Sequence, residues 1–162
     1  MKIRILFVSI VCVMYLVSCS SSEESTKKVE ETNTRIVKKF RNDVTLNIQK
    51  NASWVNLMPG TQPKFHVTGK LDLLEGENYD PLKTELKFIK IYQNEEELYY
   101  IMPKVIEEIS GDTKILTFST LKGLSINKNL DTKNPVVFEF IFKQDNNELK
   151  YRDNNVLVEE VH

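Results

Sequence analysis

The chain has 162 residues, a length that favours a single domain. Its composition, with 41% hydrophobic and 28% charged residues, is that of a globular protein. The formal net charge is −1, so the chain lacks the basic excess that binds a phosphate backbone, and nucleic acid is excluded as an expected partner.

Residues 1–18 predict a cleavable export signal. Lys2 and Arg4 form a short positive segment, and Ile5 to Val17 is apolar except for Ser9. A helix of that length would span about 20 Å, which is too short for a bilayer core of about 30 Å. The pattern is typical of a signal peptide rather than of a membrane-spanning anchor. Its removal would lower the net charge to −3.

The end of this segment, Leu16-Val17-Ser18-Cys19, resembles the lipobox of bacterial lipoproteins. The resemblance implies that the Cys19 thiol receives a diacylglycerol, that the signal peptidase cuts between Ser18 and Cys19, and that the new amino group is acylated. Two or three acyl chains, palmitate for example, would hold the protein to a membrane almost permanently. With Cys12 removed and Cys19 modified, the mature domain would have neither a free thiol nor an internal disulfide.

Residues 19–34 are predicted to be the lipidated cysteine followed by a flexible tether. The segment after Cys19 reads SSSEESTKKVEETNT and has too few apolar side chains to fold. A chain of this length spans roughly 20 Å root-mean-square. Ser20 stands where lipoproteins retained in the inner membrane have aspartate, and Glu23 and Glu24 loosely resemble acidic surface-export signals. We therefore expect a cell-envelope location, the outer membrane before the inner, and leave the periplasmic or surface face open.

Residues 35–162 predict an all-β domain. Alternating apolar residues mark strands at 44–48, 65–73 and 136–142, and less regular runs follow at 85–93, 98–102, 104–109, 114–121, 148–152 and 156–161. Turn residues separate these runs, including Asp145-Asn146-Asn147 and Asp153-Asn154-Asn155. The pattern predicts an antiparallel β-sandwich, immunoglobulin-like or similar, with a lipocalin-like barrel as the alternative.

Motifs for catalysis and cofactor binding are missing from the sequence. There is no G-x-S-x-G elbow, no phosphate loop and no paired histidine or cysteine motif, so we predict no enzyme activity, no cofactor and no metal site. His66 lies on the polar side of its strand, and His162 ends the chain. The Asp and Asn residues near 145 and 153 suit turns as well as calcium, and the turn interpretation is preferred.

Aromatic residues are the remaining candidates for a binding surface. Trp54, Tyr92, Tyr99 and Tyr100 would form a patch for a protein or a glycan if they were exposed together. For Trp54 taken alone, a core position is the preferred interpretation, because large apolar side chains are mostly buried.

Taken together, these features predict a membrane-anchored cell-envelope lipoprotein, held through lipid on Cys19. Its domain would be a non-catalytic binding or assembly module for an envelope protein or glycan. Two alternatives remain open at this point: a glycan hydrolase that uses paired carboxylates, and a carrier of an apolar ligand in a cavity lined by Phe138 to Phe142.

Overall fold

The computed structural model describes residues 41–162. The predicted signal peptide, the lipobox and the tether of residues 19–34 lie outside the described residues, as do residues 35–40 of the predicted domain. Within residues 41–162 no helix is long and apolar enough to span a membrane.

The described residues form ten β-strands and one short 3-10 helix. In chain order these are β1 (Leu46–Asn56), β2 (Lys64–Leu73), the 3-10 helix (Pro81–Lys83), β3 (Glu85–Gln93), β4 (Glu96–Ile101), β5 (Lys104–Ser110), β6 (Thr113–Ser119), β7 (Leu124–Ser125), β8 (Val136–Gln144), β9 (Asn147–Val156) and β10 (Val158–Val161).

The strands form two sheets. The first sheet has the order β10-β1-β2-β6-β5, with β7 beside the start of β2, and the second has the order β4-β3-β8-β9. All pairs are antiparallel except β1 and β10. The first sheet takes β1, β2, β5, β6, β7 and β10 from the chain, and the second takes β3, β4, β8 and β9, so the chain passes between the sheets several times. The predicted fold class is thus confirmed, and the alternative of a single closed sheet is wrong.

The core lies between the sheets and is rich in phenylalanine. Five phenylalanines are almost fully buried: Phe65, Phe118, Phe138, Phe140 and Phe142. The rings of Phe118 in the first sheet and Phe140 in the second meet edge to face, with centroids 5.5 Å apart. Phe140 also contacts both of its neighbours in the β8 row, so this row is filled by mutual packing.

A β-bulge in β1 changes which residues face the core. Before it, Ile48 faces inward opposite Leu71; after it, Lys50 and Lys70 are paired, and the inward positions become Asn51, Ser53 and Val55. Trp54 is therefore turned to the outer face of the first sheet. The core position predicted for Trp54 is wrong for this reason.

The last two strands, β9 and β10, belong to different sheets although only one residue separates them. β9 runs through Asp153, Asn154 and Asn155, so the turn predicted there is wrong; one extra residue between Asp153 and Val156 forms a bulge opposite β8. After Leu157 the chain crosses to the first sheet, where β10 pairs with β1. The Ser53 hydroxyl donates a hydrogen bond of 3.0 Å to the Leu157 carbonyl and holds this crossing.

Candidate interaction surface

One side of the sandwich is formed by two edge strands. β4 ends the second sheet, β5 ends the first, and only Met102 and Pro103 join them. Because the link is so short, both edges lie along the same side of the domain. The opposite side is formed by β9 and β10, which are joined through Leu157.

Exposed apolar side chains concentrate on the β5 side. Met102 and Leu121 are 76% and 70% exposed, and Ile106 and Ile109 on β5 itself are also exposed. We call Met102, Lys104, Ile106, Ile109 and Leu121 the β5 surface, in which Ile106 and Ile109 lie on opposite faces of the edge strand. A groove of about 370 Å³ lies at the end of this surface where β5 begins, and its lining includes Met102, Pro103, Lys104, Thr120, Leu121 and Lys122. Apolar side chains grouped at an edge are typical of interaction sites.

Among residues 41–162, two of the other three sheet edges have a polar or backbone cover, and the third is short. Along β4, the Asn127 side chain donates to the Leu98 carbonyl at 2.9 Å. Beside β9, the Asp43 amide donates to the Lys150 carbonyl at 2.8 Å. The third edge, β10, has only four residues, and a strand this short presents few unpaired backbone groups.

The edge of β5 differs from these three. It is seven residues long, and within the described range its only strand partner is β6. An exposed edge strand presents unpaired N–H and C=O groups that can hydrogen-bond to another chain. The β5 edge therefore offers both apolar side chains and backbone hydrogen-bonding groups.

A buried lysine lies on β6, the strand next to β5. Lys114 on β6 is 3% exposed, and its ammonium group lies 2.7 Å from a Glu107 carboxylate oxygen. The same group donates to the Thr84 carbonyl at 3.0 Å and to the Leu82 carbonyl at 3.4 Å. Lys114 thus ties the first sheet to the segment that leads into the second, and Glu107 is held in place on the inner side of β5.

The outer face of the second sheet carries a polar network. Glu139, which is buried, pairs with Arg152 at 2.5 Å, and Glu97 pairs with Lys90 at 2.9 Å. The Tyr92 hydroxyl lies between the two carboxylates, 3.3 Å from Glu97 and 3.4 Å from Glu139. The hydrogen bond that the Lys90 ammonium donates to Glu97 raises the pKa of Lys90, and burial together with the Glu139 charge raises the pKa of Tyr92. Both shifts favour the protonated forms of Lys90 and Tyr92.

Glu97 and Glu139 are the arrangement that most resembles the carboxylate pair of a glycan hydrolase. Hydrolysis requires one carboxyl that stays protonated and a second that stays ionised, both facing a substrate cleft. Here each carboxylate faces a cation and the Tyr92 hydroxyl on the outer face of a sheet. Glu97 and Glu139 are therefore interpreted as members of cross-strand ion pairs with Lys90 and Arg152.

The four aromatic residues predicted as a binding surface occupy three different places. Trp54 stacks on His66 on the outer face of the first sheet, with centroids 5.1 Å apart. Tyr99 points inward, stacks on Phe65 at 4.8 Å and accepts a hydrogen bond from the Asn127 amide. Tyr92 and Tyr100 share the outer face of the second sheet. The four side chains therefore do not form one continuous patch.

Tyr100 is the aromatic residue nearest to the β5 surface in sequence. It is 57% exposed and stacks on Phe88, with centroids 4.8 Å apart. The Lys90 ammonium lies 5.2 Å from its ring centroid, a distance at which a cation–π attraction operates. Tyr100 is thus held in a fixed orientation at the β4 edge.

The histidines have no neighbours suited to metal chemistry in the described part of the chain. No group of three His, Cys, Asp or Glu residues within 41–162 is placed to hold a metal ion. His66 lies on the outer face of the first sheet, as predicted, between Trp54 and Gly123. Asp153 accepts a hydrogen bond of 2.9 Å from Asn51. Ser18 and Cys19, the predicted cleavage and lipidation residues, lie outside the described residues.

Sequence reasoning did not identify Met102, Leu121, Ile106 or Ile109. The available signal was weak: the β5 sequence KVIEEIS does not alternate, and its apolar residues appear on both faces of the strand. No family model matches this chain, and neither a curated protein nor a solved structure matches it.

Proposed function

We propose that this chain is a lipid-anchored protein of the bacterial cell envelope, and that its β-sandwich is a non-catalytic module that binds another protein. The anchor part of the proposal rests on the lipobox-like Leu16-Val17-Ser18-Cys19. The binding part rests on the β5 surface, where exposed apolar side chains adjoin a strand edge that no other part of residues 41–162 pairs with.

These two features favour a protein partner over a glycan. An open edge can add a strand from another polypeptide, and main-chain hydrogen bonds then supply affinity while the side chains supply specificity. Glycan binding instead favours exposed aromatic faces, and one face of Trp54 is covered by His66. The aliphatic and thioether side chains of the β5 surface are suited to desolvation against another apolar surface.

The anchor is tested by replacing Cys19 with alanine in the full-length chain. We expect the variant to lose the mass of the acyl groups and to leave the membrane fraction, because thioether formation requires the thiol. The matched control is Cys12→Ala, which lies inside the predicted signal peptide and should leave both properties unchanged. Unaltered mass and membrane retention in the Cys19 variant would contradict the anchor.

The binding surface is tested by placing a photo-crosslinking amino acid at Leu121 in the membrane-bound protein. We expect a discrete protein adduct at this position. The matched control is Leu157, which is similarly exposed at 66% but lies on the opposite side of the domain. Equal labelling at both positions, or none at Leu121, would refute the β5 surface as the binding site.

A second variant checks that the adduct depends on apolar contact. Met102→Asp introduces a charge beside Leu121 without touching the core, since Met102 is 76% exposed. We expect the Leu121 adduct to fall at least about fivefold, because a charged group in the centre of an apolar interface is costly to desolvate. Undiminished labelling would show that the contact is not apolar.

A further inference from the structure

We propose that the protein bound at the β5 surface is a second copy of the same chain, joined edge to edge through two antiparallel β5 strands related by a two-fold axis at Ile106. This inference rests on the proposed function, because it takes the β5 surface as the docking site and names its occupant. A symmetric dimer uses the same patch twice, so the patch must be self-complementary.

The backbone of β5 is suited to such pairing. β5 and β6 are joined by the two-residue turn Gly111-Asp112, with φ of +60° at Gly111. In a hairpin of this type the flanking residues, Ser110 and Thr113, exchange hydrogen bonds, and hydrogen-bonded pairs then alternate along the ladder. Val105, Glu107 and Ile109 therefore point their N–H and C=O groups away from β6, toward the open edge.

The side chains select one register. In an antiparallel pair, residues directly opposite each other lie on the same face of the sheet. If the outer faces of both copies are to form one surface, each outward residue of β5 must lie opposite an outward residue of the second copy. This happens only when the two-fold axis passes through a residue and not between two residues. With the axis at Ile106, Lys104 of each copy lies opposite Glu108 of the other, giving two pairs of opposite charge. An axis at Glu107 or Glu108 would instead place two like carboxylates opposite each other, which is destabilising.

The same register covers the exposed apolar residues of the edge. The two Ile106 side chains meet on the axis, Ile109 lies opposite Pro103, and Met102 lies opposite Ser110 of the second copy. Val105 and Glu107 exchange backbone hydrogen bonds, and the Ile109 amide reaches the Pro103 carbonyl, giving about six bonds in all. Pro103 has no N–H and ends the pairing on that side.

Three independent properties of one strand thus agree on a single arrangement. Within residues 41–162 the edge has no second strand beside it, its charges are self-complementary in only one register, and that register places the exposed isoleucines and Met102 against the second copy. A different protein would not require Lys104 and Glu108 to be spaced symmetrically about Ile106. We therefore infer a homodimer in which the first sheets of two copies form one continuous sheet.

The test is a cysteine scan of β5 in the full-length membrane protein. Each of residues 104–110 is replaced by cysteine in turn, and the amount of disulfide-linked dimer is measured after mild oxidation. The unaltered chain is the control, because it shows any cross-linking that arises from Cys12 or Cys19. Residues directly opposite across a non-hydrogen-bonded pair have Cα atoms about 4.5 Å apart, within the range that a disulfide spans. We expect Ile106→Cys to cross-link several-fold more than Glu108→Cys on the same strand face.

Charge exchange provides the second measurement. Glu108→Lys in the Ile106→Cys background turns both attractive pairs into repulsive ones, and we expect association to weaken about tenfold. The double exchange Lys104→Glu with Glu108→Lys restores opposite charges, so cross-linking should return. Trp54 fluorescence, which reports the first sheet away from β5, checks that each variant remains folded.

The position of the cross-linking maximum and the effect of the charge exchange test the register and the dimer separately. A maximum at Glu107 or Glu108, or failure of the double exchange to restore cross-linking, overturns the register. No position cross-linking above the unaltered chain overturns the dimer. If the Leu121 photo-crosslink then captures a different protein, the dimer fails while the proposed function stands; if Leu121 captures nothing, both fail.

Discussion

Gly123 lies against the ring of His66, which stacks on Trp54. Its φ is +65°, a region that favours glycine, and a Cβ added there would lie 2.7 Å from two ring atoms of His66 and 2.9 Å from the Lys64 Cβ. We expect Gly123→Ala to lower the free energy of unfolding by about 1–3 kcal/mol, because backbone strain and a steric clash add. Urea titration measures this change.

The same substitution has an optical signature, since Trp54 is the only tryptophan. Displacing His66 would uncover one face of the Trp54 ring and shift its emission. The matched control is Gly111→Ala, where φ is +60° but no atom lies within 4 Å of the added Cβ. The control should lose stability from strain and leave Trp54 emission unchanged. Identical emission in both variants would mean that Gly123 does not hold His66 in place.

Lys114 is a second residue whose environment fixes its role. Its ammonium group is buried and bonded to Glu107 and to the carbonyls of Thr84 and Leu82. We expect Lys114→Met to cost about 1–3 kcal/mol, because the Thr84 carbonyl would lose its partner in a buried place. The control is Lys83→Met: Lys83 pairs with Asp80 at the surface and should contribute less than about 1 kcal/mol. Equal losses in the two variants would refute a special role for Lys114.

At the scale of the element, the segment between β7 and β8 is held by polar contacts. Gln93, which is buried, donates to the carbonyls of Asp131 and Asn134 and accepts from the Asp131 amide. The Lys133 amide and the Asn134 side chain donate to the Asp131 carboxylate and hold its pKa below the usual 3.8. The segment is thus stabilised by the ionised form of Asp131.

This lowered pKa gives a pH prediction. A carboxyl whose pKa is lower in the folded state stabilises the fold above the unfolded-state pKa, and this contribution is lost as pH falls through the folded-state pKa. Asp131→Asn does not titrate, so its free energy of unfolding should fall less steeply than that of the unaltered chain below about pH 4. Urea titrations between pH 3 and 6 measure the slopes. Parallel curves would show that Asp131 does not contribute to acid destabilisation.

Asp80 provides an independent comparison in another segment. The Lys83 ammonium and the Leu82 amide lower its pKa in the same direction. Because Asp80 and Asp131 share no contact, the effects of Asp80→Asn and Asp131→Asn on the pH slope should add in the double variant. A non-additive result would indicate that the two segments are coupled.

Strands were predictable from both the regular and the less regular apolar runs, but the faces and turns near bulges were not. The β2 and β8 patterns predicted their strands and buried faces correctly, because neither strand shows a bulge along its apolar run. In β1 the alternation of Leu46 and Ile48 does not extend to Trp54, since one extra residue at the bulge reverses the faces. In β9 the Asp and Asn residues typical of a turn lie within a bulged strand.

The β5 surface was not predictable for a different reason. Whether Ile106 is buried depends on whether another strand lies beside β5, and strand order is a property of the whole sandwich rather than of local sequence. Edge positions emerge only when all pairings are known. Isoleucine in a strand is ordinarily assigned to the core.

At the scale of the whole molecule, the two sheets share one core through Phe118 and Phe140. We expect a single cooperative unfolding transition, in which Trp54 emission from the first sheet and amide signals from β3 and β8 of the second sheet change together. Phe140→Leu should lower the free energy of unfolding by about 1–3 kcal/mol and shift both signals equally, because the cavity it creates lies between the sheets.

The matched control for this prediction is Phe88→Leu, the same chemical change on the outer face of the second sheet, where Phe88 contacts Tyr100. Phe88→Leu should lower the free energy of unfolding less than Phe140→Leu does, because only a contact on the outer face is lost. If Phe140→Leu shifted the amide signals of the second sheet but not Trp54 emission, the sheets would unfold separately. An open β5 edge would then remain after partial unfolding, and aggregation through it would increase with the population of that state.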